Sequence, residues 1–133
     1  MRISVSVPSD LPAAYADKIM IEQVVLNLVK NGIEAMHDTP RNERDLAISA
    51  RANGKDFIEI KVADRGHGVP FAQFEKLFAP FYTTKPEGMG MGLNICRSIV
   101  ELHEGHLWFT RNTDGGSIFH FTLPQAAAII EPL

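Results

Sequence analysis

The sequence predicts an α+β fold: a two-layer α/β sandwich, with about three helices on one face of a mixed, mostly antiparallel sheet of about five strands. Three observations lead there. Residues 3–7, 46–51, 57–64, 107–110 and 118–123 are short apolar or period-two segments, the mark of strands. Residues 17–36 and 92–103 carry apolar residues at helical spacing, and a shorter helix is expected over 71–77. No internal repeat occurs, and 133 residues suffice for one domain around one core.

Taken in order, Ile3-Ser4-Val5-Ser6-Val7 alternates and reads as a half-buried strand, broken by Pro8 and Pro12. Asp17 is the expected N-cap of a helix reaching about Met36. Ile21, Val25, Leu28 and Ile33, widened by Val24 and Gly32, form the stripe that packs on the sheet. Residues 37–44 are polar, contain Pro40 and read as a loop. Asn53-Gly54-Lys55-Asp56 has hairpin chemistry and joins the second and third strands. Residues 79–91, rich in Pro, Gly, Thr and Met, form the longest unpatterned stretch. Gly92 opens the next helix, and Asn112-Thr113-Asp114-Gly115-Gly116 turns between the last two strands. Pro124 is expected to stop the sheet, so residues 1–125 read as one domain and 126–133 as a linker or tail.

Composition narrows the function. The apolar and charged fractions, 45% and 22%, are those of a globular protein, and no apolar run approaches the roughly 18 residues of a membrane span. No signal peptide is visible after Met1-Arg2. A net charge of −3 argues against a nucleic-acid partner, which calls for a basic stripe. It leaves an anionic ligand open, because a few local donors and one divalent cation can hold it. Cys96 is the single cysteine, so no internal disulfide forms; the reading is a buried, inert thiol in a reducing cytoplasm.

Several polar residues stand out. Asn27, Asn31 and Glu34 follow i, i+4, i+7 spacing and share one helical face. Asn oxygens can ligate Mg²⁺ while the amides donate to phosphate, although two such residues on a helix are equally compatible with solvated surface. Lys30 lies beside them but points off that face. Asp64 ends a strand before Gly66 and Gly68. A carboxylate there can accept from an exocyclic amine such as adenine's while the glycines admit close backbone approach, yet Asp-Gly turns after strands are common. Gly88, Gly90 and Gly92 precede a helix beginning near Leu93, where freed N–H groups and the helix N-terminus favour phosphate. Neither the dinucleotide fingerprint nor the Walker A pattern nor the protein-kinase H-R-D and D-F-G elements occur. Phe78 and Phe81 read as anchors of the loop, Tyr82 as lying near the base or at the loop surface, and Lys85 as a cation near the phosphates. His67 reads as an exposed loop residue.

In this order, residues 23–35, Asp64-Arg65-Gly66-His67-Gly68-Val69, residues 77–85 and Gly88-Met89-Gly90-Met91-Gly92-Leu93 resemble the N, G1, F and G2 boxes of the catalytic ATP-binding domain of a two-component sensor histidine kinase. The resemblance runs from about residue 3 to 124. The Pro-Phe-Tyr-Thr-Thr-Lys loop is most similar to the nitrogen- and oxygen-sensing type, and residues 115–124 look like the family's final hairpin. It implies the Bergerat (GHKL) fold shared with gyrase, Hsp90 and mismatch-repair ATPases, with ATP and Mg²⁺ as ligands. It implies Asp64, Gly66 and Gly68 around adenine, and Asn27 and Asn31 at the metal and triphosphate. Tyr82, Lys85, Gly88, Gly90, Gly92 and Leu93 would form the lid and phosphate end, with Asn27 and Lys85 engaged in the transfer itself.

One element of that family is missing. Its kinases phosphorylate a histidine on a dimerising helical hairpin, followed by an acidic residue and then a Pro. His37-Asp38 and His103-Glu104 have no such hairpin around them, and His106 and His120 lie in or beside the last strands. The chain therefore reads as a monomeric catalytic domain cut from a longer cytoplasmic or membrane-bound kinase, with a response regulator as indirect partner. The resemblance leaves three other readings. A stand-alone GHKL serine kinase or anti-sigma-type module would act on a partner's Ser, a degenerate domain would only dock, and a gyrase-like clamp would need an acidic base where Asn27 stands.

Overall fold

The computed structural model describes residues 1–68, 92–113 and 115–129. The expected helix over 71–77, together with Phe78, Phe81, Tyr82, Lys85, Gly88, Gly90, Asp114 and residues 130–133, lies outside them. The chain runs β1 (Arg2–Ser6), α1 (Lys18–Ala35), a 3-10 turn at Arg41–Glu43, β2 (Asp45–Asn53), β3 (Phe57–Ala63), α2 (Gly92–Leu102), β4 (Leu107–Arg111), β5 (Ser117–Pro124) and the short α3 (Ala126–Ile129). The five strands form one sheet in the order β1-β2-β3-β5-β4. β1 runs parallel to β2 and the other pairs are antiparallel, so the sheet is mixed and mostly antiparallel as expected. Among the described residues two long helices, rather than three, join the short α3.

α1 and α2 pack side by side on one face of the sheet. Alternation decides which strand residues meet them: Phe119, Phe121 and Leu123 of β5 enter the core, with Leu46, Val62 and Leu107 from the other strands. From the helices come Val24, Leu28, Cys96 and Val100. Asp17 caps α1 by accepting from the Met20 N–H at 3.0 Å.

Two expectations are corrected. β1 is exposed throughout rather than half buried, with Ile3 and Val5 53% and 66% exposed. It is an edge strand: Ile3 and Val5 lie opposite Leu46 and Ile48, hence on the helix side, but α1 packs over β2 and β3. Ile33 is exposed because the buried stripe is Val24, Leu28 and Gly32, and the residue after Gly32 is turned about 100° away. Pro124 is the last residue of β5, so the sheet ends there as expected. It pairs with Phe57, and its carbonyl accepts from the Tyr15 N–H at 2.8 Å, a role that needs no proline N–H. The expected tail begins as α3, where the Ala126 N–H donates to the Ala13 carbonyl.

Candidate functional site

Asp64 follows directly on β3 and is 2% exposed. Its Oδ1 accepts from the Gly66 N–H at 2.8 Å and the Ser117 N–H at 3.2 Å. Its own N–H donates to the Ser117 carbonyl at 2.9 Å, and its carbonyl accepts from Asn112 Nδ2 at 2.8 Å. Burial pushes the carboxyl above the usual carboxylate range, and the two N–H donors and nearby His67 only partly offset it. A buried carboxylate held by fixed donors can accept from one further donor rather than act as a surface charge.

α1 closes over this residue. A Cβ at Gly32 would lie 3.4 Å from Asp64 Cβ and 3.6 Å from Oδ2. A Cβ at Gly66 would collide with the Ala35 carbonyl, so the Asp64-to-Gly68 turn lies directly on the end of α1. The His67 N–H donates to that carbonyl at 3.3 Å, while His67 itself is exposed as expected. Gly68 adopts φ 74°, the left-handed region that glycine enters freely.

Asn27 and Asn31 each stand one residue before a buried position, Leu28 and Gly32, which turns them about 100° to one flank of α1. That flank faces α2. Asn27 hydrogen-bonds the Cys96 thiol, only partly offsetting the burial that pushes the thiol up to about 11. Cys96 is thus the inert buried thiol expected. Near the other end of the pair, the Asp17 N–H donates to His103 Nε2 at 3.1 Å. Cys96 beside Val24 and Asn27, and His103 beside Asp17, make the helices antiparallel. The start of α2 therefore lies alongside the second half of α1, toward Asn31. Gly92 there is exposed and Leu93 packs against the core. Lys30 is exposed, off the Asn flank.

Asn27 and Asn31, Asp64, the Gly66/Gly68 turn and the α2 N-terminus thus gather at one end of the molecule. Residues 16–127 match the family described as histidine kinase-, DNA gyrase B-, and HSP90-like ATPase. The chain belongs to this ATPase family. The C4-dicarboxylate transport sensor protein DctS of Rhodobacter capsulatus is 51% identical over 86% of this chain and 17% of its own length. The sensor protein FixL of Bradyrhizobium diazoefficiens is 42% identical over 95% of the chain and 24% of its own. The chain therefore spans a quarter or less of these relatives. Among solved structures, the catalytic domain of histidine kinase ThkA superposes with TM-score 0.80 at 33% identity, covering 93% of this chain and 78% of that one. ThkA in complex with the response regulator protein TrrA gives 0.76 at 29%, over 96% and 35%. Full-length ShkA in complex with AMPPNP gives 0.80 at 26%, over 94% and 26%.

For this catalytic ATPase domain of the sensor-histidine-kinase type, the residues singled out in the sequence divide three ways. Asn27, Asn31, Asp64, Gly66, Gly68, Gly92 and Leu93 converge. Tyr82, Lys85, Gly88 and Gly90 lie outside the described residues. Asn112, Gly116 and Ser117 hold Asp64 from the far hairpin and were not singled out. Only the Gly115-Gly116-Ser117 run hinted at them, because their partner is about 50 residues away in sequence. No three His, Cys, Asp or Glu side chains form a metal cluster among the described residues. The Asn27 and Asn31 amide oxygens are hard, neutral donors of the kind that suit Mg²⁺ bound mainly through phosphates and water.

Proposed function

We propose that this domain binds Mg-ATP for a sensor histidine kinase, with the γ-phosphoryl passing to a histidine on a separate dimerising hairpin. The buried Asp64 carboxylate, fixed at a strand end under α1, carries the reading. In it Asp64 accepts from the adenine amine, and the Gly66/Gly68 turn lies against the ring. Asn27 and Asn31 would hold Mg²⁺, which when bound would neutralise phosphate charge. Gly92 and Leu93 offer N–H groups to the phosphates, Gly88 and Gly90 extend that cradle, Lys85 adds a cation, and Tyr82 borders the base. Phosphoryl transfer has a loose transition state, so positioning and charge neutralisation supply most of the acceleration.

The histidines support an external acceptor. His103 and His120 each use both ring nitrogens in hydrogen bonds, and exposed His37 lies just past α1. Within the reading, residues 1–125 are the catalytic unit and 126–133 a tail. The site of action is the cytoplasm, and a response regulator is the downstream partner; the ThkA complex supports the last point. No helix among the described residues is long and apolar enough to cross a membrane.

Calorimetry with ATP and Mg²⁺ on the native chain and Asp64→Asn tests the proposal. Saturable binding lost in the variant is expected. No binding by the native chain would overturn the reading.

A further inference from the structure

We infer that Asn112, at the base of the β4–β5 hairpin, is a positioning residue for the Asp64 carboxylate, so that this hairpin sets discrimination between 6-amino and 6-oxo purines. The inference rests on the adenine-reading role of Asp64.

The hairpin holds Asp64 on every side that its backbone offers. Asn112 Nδ2 donates to the Asp64 carbonyl, and the Ser117 carbonyl takes the Asp64 N–H. The Ser117 N–H then reaches Oδ1, which also accepts from Gly66. With Oδ1 occupied by two donors, the rotation of the carboxylate is set by main-chain groups, and half of those groups belong to the hairpin.

Asn112 is itself fixed. Its N–H donates to the Gly116 carbonyl at 3.0 Å and its carbonyl accepts from the Gly115 N–H at 3.0 Å, closing the turn. The side chain thus leaves a closed loop in one direction, toward Asp64. Gly116 completes the fit at φ 97°. A Cβ there would run into the Asp64 carbonyl and stand 2.7 Å from Oδ1 and 2.8 Å from Arg65 Cα. The hairpin and the turn after β3 therefore approach as bare backbone, with one amide spanning them.

Carboxylate recognition of an exocyclic amine depends on direction, since a hydrogen bond weakens steeply off its axis. Loosening the hairpin should therefore weaken contacts to the 6-amino group and spare those to ribose and phosphates, which other elements supply. Inosine triphosphate (a 6-oxo purine) is the probe: it keeps sugar and phosphates and lacks the amine.

The test measures ATP and inosine triphosphate binding by calorimetry to the native chain, Asp64→Asn, Asn112→Ala and Gly116→Ala, with melting curves for each. The native chain should prefer ATP. Asn112→Ala should lower ATP affinity about tenfold, the scale of one well-made hydrogen bond, and Gly116→Ala, which forces the hairpin off Asp64, should lower it too; both should leave inosine triphosphate affinity within about twofold. A parallel loss for both nucleotides, no loss for ATP, or failure of both variants to fold would make the contact merely structural and overturn the inference. A native chain that binds both nucleotides alike would remove the Asp64 reading itself, and the inference with it. Native discrimination that Asp64→Asn abolishes and the hairpin variants keep would leave the reading standing and remove Asn112 alone.

Discussion

Asp64 sits where function and stability oppose each other. Its carboxyl is raised by burial, so the native state holds its proton to higher pH than the unfolded chain does. A group shifted this way favours folding below its unfolded pKa, and that contribution is lost as pH rises through the folded value. At neutral pH the ionised side chain therefore costs stability. Asp64→Asn should melt at the same temperature as the native chain or higher, because an amide oxygen still meets the Gly66 and Ser117 N–H groups without a buried charge. Loss of ATP binding together with an unchanged or raised Tm is the expected pair of results; a large drop in Tm would show the charge to be structural. Binding should also weaken on acidification in a window above the ordinary Asp range, read as calorimetric affinity against pH, and Asp64→Asn should show no such window. The sequence pointed to Asp64 through its place between an apolar strand and two glycines. Its burial came from Gly32 and Gly116, residues far along the chain that no local pattern connects to it.

At the scale of elements, two clamps hold the layers in place. His103 Nδ1 bonds the Ile99 carbonyl at 2.8 Å while Nε2 accepts from the Asp17 N–H, a combination that requires the neutral Nδ1–H tautomer. This ring ties the start of α1 to the end of α2. His103→Ala should cost about 1–2 kcal/mol in chemical denaturation and speed exchange at the Asp17 amide. Unchanged exchange there would rule out the clamp. On the sheet's other face, Glu59 bonds His120 Nδ1 at 3.0 Å, Trp108 stacks on His120 at 4.9 Å, and Thr110 reaches His120 Nε2 at 2.8 Å. Burial raises the Glu59 carboxyl, but bonds from His120 and Arg51 and the charges of Arg51 and Lys61 together bring it below its ordinary range. With a depressed pKa, Glu59 contributes stability above its unfolded pKa and loses it as pH falls through the folded value. The native chain should be more stable than Glu59→Gln near neutrality, with the gap narrowing on acidification. Trp108, the only tryptophan, reports both transitions by fluorescence. Period-two alternation marks residues 57–64 as a strand, and the structure places Glu59 and His120 together on the sheet's face away from the helices. Alternation could not show that they are buried there, because Trp108 comes from a neighbouring strand. The same limit explains β1: alternation gives its inner side, but only strand order makes it an edge.

For the whole molecule, the layer arrangement separates binding from turnover. In the proposed reading, helix α1 and the turn after β3 would supply the base and metal groups, and the antiparallel α2 would bring its N-terminus to the same end, so that one domain would hold the nucleotide. Asp64 just past the end of β3 and Gly92 at the start of α2 were legible from sequence because both mark element ends. The strand order β1-β2-β3-β5-β4 was not, since pairing is decided by contacts rather than by any segment's own pattern. Nothing among the described residues offers a free imidazole on a helical hairpin: His103 and His120 are doubly bonded within the fold. Alone, the chain should bind ATP and consume it slowly. Adding a dimerising hairpin with its histidine, taken from a related sensor kinase, should transfer radiolabelled γ-phosphate to the hairpin and leave the chain unlabelled. Replacing that histidine by Gln should abolish the label, and Asp64→Asn in the chain should do the same with an intact hairpin. Label on the chain itself, or rapid hydrolysis without any hairpin, would place the acceptor or the attacking water inside this domain and overturn the division of labour.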